Sequence, residues 1–360
     1  MVVPLSLPIV DLAVYFADPT SDAAKAECTK AAEALKSYGA LLLRDPRVPE
    51  SANYEFLDMV EEYFEQPHDV KLQDVRPDLH YQIGATPEFV EEAMCFKSPK
   101  CQQILEDLPA EDKPVQWTGA DPKWRFFHRI GPLPPTSKFA QLNSPPVVPK
   151  AFEAKWLRVM DGYGQQLHDA VESVSELLAV GLGLEKDTLV NMAKYGPHLL
   201  APTGSDLARF NQLNTIFAAF HTDLNFLTIH GKSRYPGLHV WARNSGAKMS
   251  VAVPDGCLLV QAGQQMERLT GGAILAGYHE VIVNQKTLEA VERAKAAGKS
   301  LWRVSSTLFY HIQSDQELRP LGDYATPEAI AEYPPIFCGD YVRKELELIS
   351  LADPTKRATQ

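Results

Sequence analysis

AAFHTDLNFLTIH, residues 218–230, decides how the rest of this chain is read. From Leu207 onward the pattern has period two, which predicts a strand over residues 219–230. Successive side chains of a strand point to opposite faces. His221 and Asp223 therefore share a face, about 7 Å apart along the strand, while Thr222 points away. Two such ligands can meet one metal inside a barrel. A histidine from a distant strand would complete a facial triad, which leaves three neighbouring positions open for Fe(II) to bind a cosubstrate and oxygen together. His279, in AGYHEVIVN, is the natural third ligand, 56 residues beyond Asp223 (279 − 223). A His-x-Asp pair alone is weak, because unrelated polar core residues produce it too.

Around this stretch the pattern has period two. Short strands are predicted at 207–212, 219–230, 236–242, 248–252, 257–262, 273–283 and 301–312, punctuated by Gly and Pro, the pattern of an antiparallel sandwich or jelly roll. Thr287 to Ala297 (TLEAVERAKAA) interrupts it as a short surface helix. Upstream the period is helical. Helices are predicted for Ser21 to Ser37 and Ser51 to about Phe64, with a long amphipathic one from Phe152 to Leu182. Leu7 to Leu12 and Ala40 to Leu43 read as strands. Residues 76–150 are harder, with helix possible at Thr86 to Cys95 and Lys100 to Leu108 and loop elsewhere. Pro132 to Pro149 holds six prolines in eighteen residues and reads as a connection. The fold class is α+β: a double-stranded β-helix (jelly roll) core with supporting N-terminal helices. Residues 1–150 form the N-terminal helical and mixed region, 151–320 the jelly-roll core with its long helix, and 321–360 a C-terminal lid or closing helix.

The 360 residues are 45% hydrophobic and 22% charged, enough for a sizeable core. A net charge of −11 repels phosphate backbones and argues against a nucleic-acid partner. No apolar run is long enough to span a membrane, and the N-terminus lacks the basic region of a signal peptide. Cys28, Cys95, Cys101, Cys257 and Cys338 are scattered and odd in number, which predicts reduced thiols in a cytoplasmic protein.

Several segments, in order, resemble the isopenicillin-N-synthase-like branch of the 2-oxoglutarate/Fe(II) oxygenases. HTDLNFLTI resembles that family's HTDxGxLT segment, and PGLHVW its GGLQV strand. VPDGCLLVQAGQQMERLTGG, GYHEVIV and RVS resemble further segments, as do LPIVDL and YGALLLRD near the N-terminus. The resemblance implies Fe(II) on His221, Asp223 and His279, with 2-oxoglutarate and O2 as the other reactants. It implies a dioxygenase that hydroxylates, desaturates or cyclises a small organic metabolite and releases succinate and CO2. His230, His239 and His311 are expected to be hydrogen-bonded wall or rim residues.

In WRVSSTLFYHI, Arg303 and Ser305 share a face. A buried guanidinium needs a carboxylate, and the resemblance supplies one as the distal end of 2-oxoglutarate; an internal salt bridge is the alternative. Asn211 aligns with an asparagine of the family's cosubstrate segment. Two departures stand out. Arg303 follows His279 by 24 residues (303 − 279), where relatives have a short turn. Leu213 occupies the position of a tyrosine that contacts the cosubstrate in many relatives. Tyr81, Phe226, Trp241, Phe309 and Phe337 are candidate substrate-pocket walls, and Tyr81 and Gly84, in HYQIGATPE, resemble a loop that overhangs the site in relatives. Arg76, Arg125, Arg129, Arg234 and Arg243 could meet a substrate carboxylate. Two other readings stay open: an Fe(II) oxidase that needs no cosubstrate, and a silent jelly-roll binding protein. A monomer is favoured.

Overall fold

Ser21 starts the first long helix: its hydroxyl accepts the Ala24 amide, and Gly39, at a left-handed φ of 67°, ends it. The computed structural model describes residues 6–92, 95–349 and 351. The N-terminal half carries β1 (Ile9–Asp11), α1 (Leu12–Ala17), α2 (Asp22–Tyr38), β2 (Ala40–Arg44), α3 (Glu50–Phe64), α4 (His68–Leu72), β3 (Gly84–Thr86), α5 (Pro99–Asp107), β4 (Trp124–Ile130), α6 (Trp156–Gly181) and α7 (Thr188–Ala193). Then come β5 (His198–Leu200), β6 (Thr203–Asp206), β7 (Ile216–His221), β8 (Leu227–His230), β9 (Leu238–Trp241), β10 (Lys248–Ser250) and β11 (Cys257–Ala262). The rest is α8 (Gln264–Leu269), β12 (Tyr278–Ile282), α9 (Gln285–Ala296), β13 (Trp302–Ser305), β14 (Thr307–Tyr310), β15 (Glu317–Leu318), α10 (Pro327–Glu332), β16 (Ile336–Phe337) and α11 (Cys338–Leu348).

Two sheets make the jelly-roll core. The larger has the order β1-β2-β11-β8-β14-β5-β4-β6-β13, with β3 beside β4; the smaller is β10-β9-β12-β7. Helix α6 buries Trp156, Met160, Leu167, Val171 and Leu178, the predicted apolar face. Trp156 packs edge-on against Phe126, with ring centroids 4.8 Å apart. Each fully buried side chain of this size contributes roughly 1.5–3 kcal/mol of transfer free energy. One continuous core runs from Val10 through α2, α3, β4 and α6 to Leu346 and Leu351.

Several expectations need correction. Residues 219–230 are not one strand. The chain leaves the smaller sheet after His221 and enters the larger at Leu227, so the strand must break between them. Residues 207–212 are not extended, because the Asp206 carboxylate accepts the amides of Ala208 and Arg209 and starts a turn. The stretch 301–312 divides at Ser306: β13 pairs with β6, and β14 with β8 and β5. The predicted helix from Thr86 is absent among the described residues; Thr86 closes β3, which pairs with β4. Strand β4 falls where the sequence predicts loop. It is buried on both faces, so no alternation marks it. Cys95 and Cys101 form a disulfide, whereas Cys28, Cys257 and Cys338 are buried free thiols. Cys95 starts a short 3-10 helix and Cys101 lies in α5, six residues on, and the break between the two helices brings their Cα atoms to 5.2 Å. Among the described residues, no helix is long and apolar enough to cross a membrane.

Candidate active site

His221 and His279 lie directly opposite each other in the antiparallel pairing of β7 with β12. Their rings sit 4.2 Å apart. Asp223 reaches the same point from the crossing between β7 and β8, not by strand alternation. Its Oδ1 lies 3.7 Å from His221 Nε2 and 3.8 Å from His279 Nε2. Its Oδ2 accepts the Thr228 hydroxyl at 2.6 Å, and its backbone carbonyl accepts the Gln264 amide. One carboxylate oxygen is thus tethered and the other faces the histidines.

The imidazoles are oriented in the same way. His221 Nδ1 is 2.6 Å from the Ala219 carbonyl, and His279 Nδ1 is 3.3 Å from the Gly277 carbonyl. A carbonyl only accepts, so this network assigns the proton to Nδ1 and leaves the Nε2 lone pairs facing Asp223. The three donor atoms lie within 4.8 Å of one another. Two imidazole nitrogens and one carboxylate oxygen, each held from behind, fit a non-haem Fe(II) facial triad. The electrostatics agree. Burial pushes His279 down to about 4 and also lowers His221, favouring the neutral, ligating imidazole. Burial alone would raise Asp223, but His279, His221 and the Thr228 hydroxyl hold its carboxyl below the usual range.

These residues open into a cavity of about 690 Å³ between the sheets. Arg303, Ser305, Thr307, Phe309 and His311 all line it, so the inward alternation survives the break at Ser306. Arg303 is buried, and its Nε donates to the Pro236 carbonyl at 3.2 Å. No ion pair reaches it among the described residues. Burial unrelieved by any carboxylate lowers it to about 10. The internal salt bridge is therefore absent among the described residues. His230, held by Thr307 and Gln261, lines the cavity as a hydrogen-bonded wall.

Of the five candidate arginines Arg125 and Arg243 line the cavity, whereas Arg76, Arg129 and Arg234 do not; most other candidates lie elsewhere. Asn211 and Leu213 fall in the turn after β6; neither lines the cavity, and Leu213 is 55% exposed. Tyr81, Phe226 and Trp241 are buried core residues outside the cavity lining. Phe226 packs towards Tyr310, and Trp241 donates to the Asp112 carbonyl. Phe337 is 41% exposed beneath Lys138. Of the five predicted wall residues only Phe309 lines the cavity, because a single aromatic in a strand reads the same whichever side of the sheet it packs. Arg234 pairs with Asp58 and Glu61 away from the cavity.

Sequence reasoning offers Arg125 as one of five candidate arginines but misses the wall it belongs to, which adjoins Phe309. Lys123, Arg125 and Phe127, at alternate positions along and just before β4, line the cavity beside Glu91 and Asp121. The aromatic run bounded by Pro122 and Gly131 is the available signal. The C-terminal helix α11 adds Tyr341 and Leu346.

The family model for the 2OG-Fe(II) oxygenase superfamily matches residues 187–312, which contain the triad and Arg303. Residues 187–312 are a domain of the 2OG-Fe(II) oxygenase superfamily. The oxygenase is 24% identical to "2-oxoglutarate-dependent dioxygenase citB" of Monascus ruber over 88% of this chain and 87% of that protein. It shares its fold with a full-length Neurospora crassa protein solved in complex with alpha-KG, at a TM-score of 0.73, 15% identity, and coverage of 96% and 98% of the two chains. The rice dioxygenase for auxin oxidation superposes with a TM-score of 0.64 at 17% identity, covering 95% of each chain. The oxygenase is thus an oxidoreductase of the 2-oxoglutarate-dependent dioxygenase class, whose cofactors are Fe(II), 2-oxoglutarate and O2.

Proposed function

We propose that His221, Asp223 and His279 hold Fe(II), that Arg303 and Ser305 hold the distal carboxylate of 2-oxoglutarate, and that the oxygenase hydroxylates, desaturates or cyclises a small organic metabolite in this cavity. One observation carries the cosubstrate assignment: Arg303 is a buried cation, lining the cavity, with no carboxylate of the described residues beside it. A guanidinium matches a carboxylate with two parallel hydrogen bonds, and the Ser305 hydroxyl, on the same face, can add a third.

When bound, Fe(II), 2-oxoglutarate and O2 together supply the oxidising power, with succinate and CO2 released. The chain supplies orientation. Thr228 and the Ala219 and Gly277 carbonyls fix the ligand atoms. Arg303 sets which end of 2-oxoglutarate points away from the metal. Phe127, Leu199 and Phe309 form a dry wall that excludes water and positions the C–H bond to be oxidised. We assign Asn211 no contact with cosubstrate, since it lies off the cavity. We also take the chain to act as a monomer without nucleic acid. Its charge of −11 supports the second point, and light scattering tests the first.

Anaerobic Fe(II) protein titrated with 2-oxoglutarate tests the reading. A weak visible charge-transfer band should appear, and Arg303→Leu should weaken binding by on the order of 2–4 kcal/mol. Oxygen consumption with a substrate, but no band and no succinate, would instead establish the cosubstrate-free oxidase.

A further inference from the structure

Arg125 is the other buried arginine of the cavity wall, and its bonding is half complete. Its Nη1 lies 2.8 Å from Glu91 Oε2, and its guanidinium lies over the Phe127 ring at 4.2 Å. Its Nε and Nη2 are buried with no hydrogen-bond partner among the described residues. Those two nitrogens form one edge of the guanidinium. In this same chain Arg47 uses that edge to hold Asp45: Nε lies 3.0 Å from Oδ1, and Nη2 lies 2.7 Å from Oδ2. The unused edge of Arg125 is thus shaped for two oxygens in one plane. A ketone or hydroxyl would satisfy one donor and strand the other.

The neighbouring acids are already committed. Asp121 sits 2.7 Å from Lys123, and Glu91 lies between Lys123 at 3.4 Å and Arg125. Burial alone would raise Glu91, but Arg125 and Lys123 hold it down to about 2, so it stays an anion. Two acids thus balance two bases, and neither acid reaches the free edge. Phe127 and Phe309, with ring centroids 6.0 Å apart and nearly perpendicular, continue the wall as an aromatic corner. Both line the cavity with Arg125. None of these groups belongs to the Arg303 subsite, which stands on a different strand.

We propose that Arg125 anchors the substrate, and that the substrate is a carboxylic acid whose remaining surface is apolar and flat enough to pack against Phe127 and Phe309. This rests on the oxygenase reading above. Arg125 is a specificity-determining residue: it holds one end of the substrate so that a carbon further along faces the metal ligands. Arg303 keeps the cosubstrate, since it has no acid of its own, whereas Arg125 has Glu91.

Matched probes test this: 2-naphthoate and 2-naphthamide, titrated calorimetrically under argon into protein with Fe(II) and 2-oxoglutarate. The acid should bind at least ~10-fold more tightly than the amide. Arg125→Met should remove that preference and leave the 2-oxoglutarate band unchanged. Arg303→Met should do the reverse. Arg125→Lys, which keeps the charge without the fork, should bind the acid more weakly than the parent, and it decides the matter if Arg125→Met fails to fold. The proposal is overturned if the parent shows no preference, if the preference survives in the Arg125 variants, or if Arg303→Met abolishes it. Failure of the parent to bind 2-oxoglutarate would overturn the cosubstrate assignment instead, and the naphthoate comparison would still read Arg125 by itself.

Discussion

His279 stands directly across from His221 in the β7–β12 pairing, and the register of that ladder shifts between His279 and Val281. The two imidazoles are therefore placed by backbone hydrogen bonds, while Asp223 is placed by side-chain and loop contacts. The weaker point of the triad is Asp223, and its tether is Thr228. Thr228→Val keeps the shape and removes the hydroxyl. Fe(II) affinity should fall about 10–100-fold, as it does when an outer hydrogen bond to a ligand is lost. Asp223→Ala should fall further, to less than stoichiometric iron by metal analysis. Unchanged affinity in Thr228→Val would mean that the turn alone orients Asp223.

Acid should destabilise the metal-free protein through buried histidines. Burial pushes His311 down to about 3 and His239 down to about 4. Their ordinary value is about 6.5, so between these limits the unfolded chain binds more protons than the folded one. Stability is then present above about pH 6.5 and lost as pH falls towards 4, by up to about 1.4 kcal/mol per pH unit for each histidine. Urea unfolding at pH 7.5 and pH 5.0 measures the slope. His311→Asn should flatten it relative to the parent; equal slopes would show that His311 does not contribute.

Helix α9 fills the gap between His279 and Arg303 that sets this chain apart from the family pattern. It begins with a reciprocal cap between Asn284 and Thr287. It buries Ala290 and Val291 against Leu207, Phe217 and Tyr235, and none of its residues lines the cavity. Replacing it with a short Gly-Ser linker should lower the melting temperature and leave Fe(II) and 2-oxoglutarate binding intact. Loss of iron from the folded deletion variant would assign α9 a part in the site. The milder Val291→Ala should cost roughly 1–3 kcal/mol in denaturant unfolding.

The disulfide between Cys95 and Cys101 is checked by counting thiols. Alkylation in denaturant without reductant should label three cysteines, Cys28, Cys257 and Cys338, and reduction should raise the count to five. Five labels without reductant would restore the all-thiol reading of the sequence.

The class of fold and the candidate ligand set are legible in local sequence. Period-two strands after a helical half, the HTD stretch and a distal histidine are local patterns, and chemistry leaves few uses for them together. Arg303 and Ser305 are legible for the same reason: two residues apart on a strand must share a face. Which surface each residue meets is settled only when distant segments pack. Alternation is the wrong reason for Asp223, because the chain changes sheets between His221 and Leu227. Strand β4 is invisible because burial on both faces erases the alternation that marks a strand; Lys123 and Phe127 are hidden with it, and Arg125 is legible only as one of five candidate arginines. Tyr81, Phe226, Trp241 and Phe337 are aromatic wherever they lie; only packing separates the core from the cavity wall. Likewise, that Arg303 lacks an acid among the described residues while Arg125 has Glu91 is a fact about neighbours distant in sequence, which no local pattern encodes.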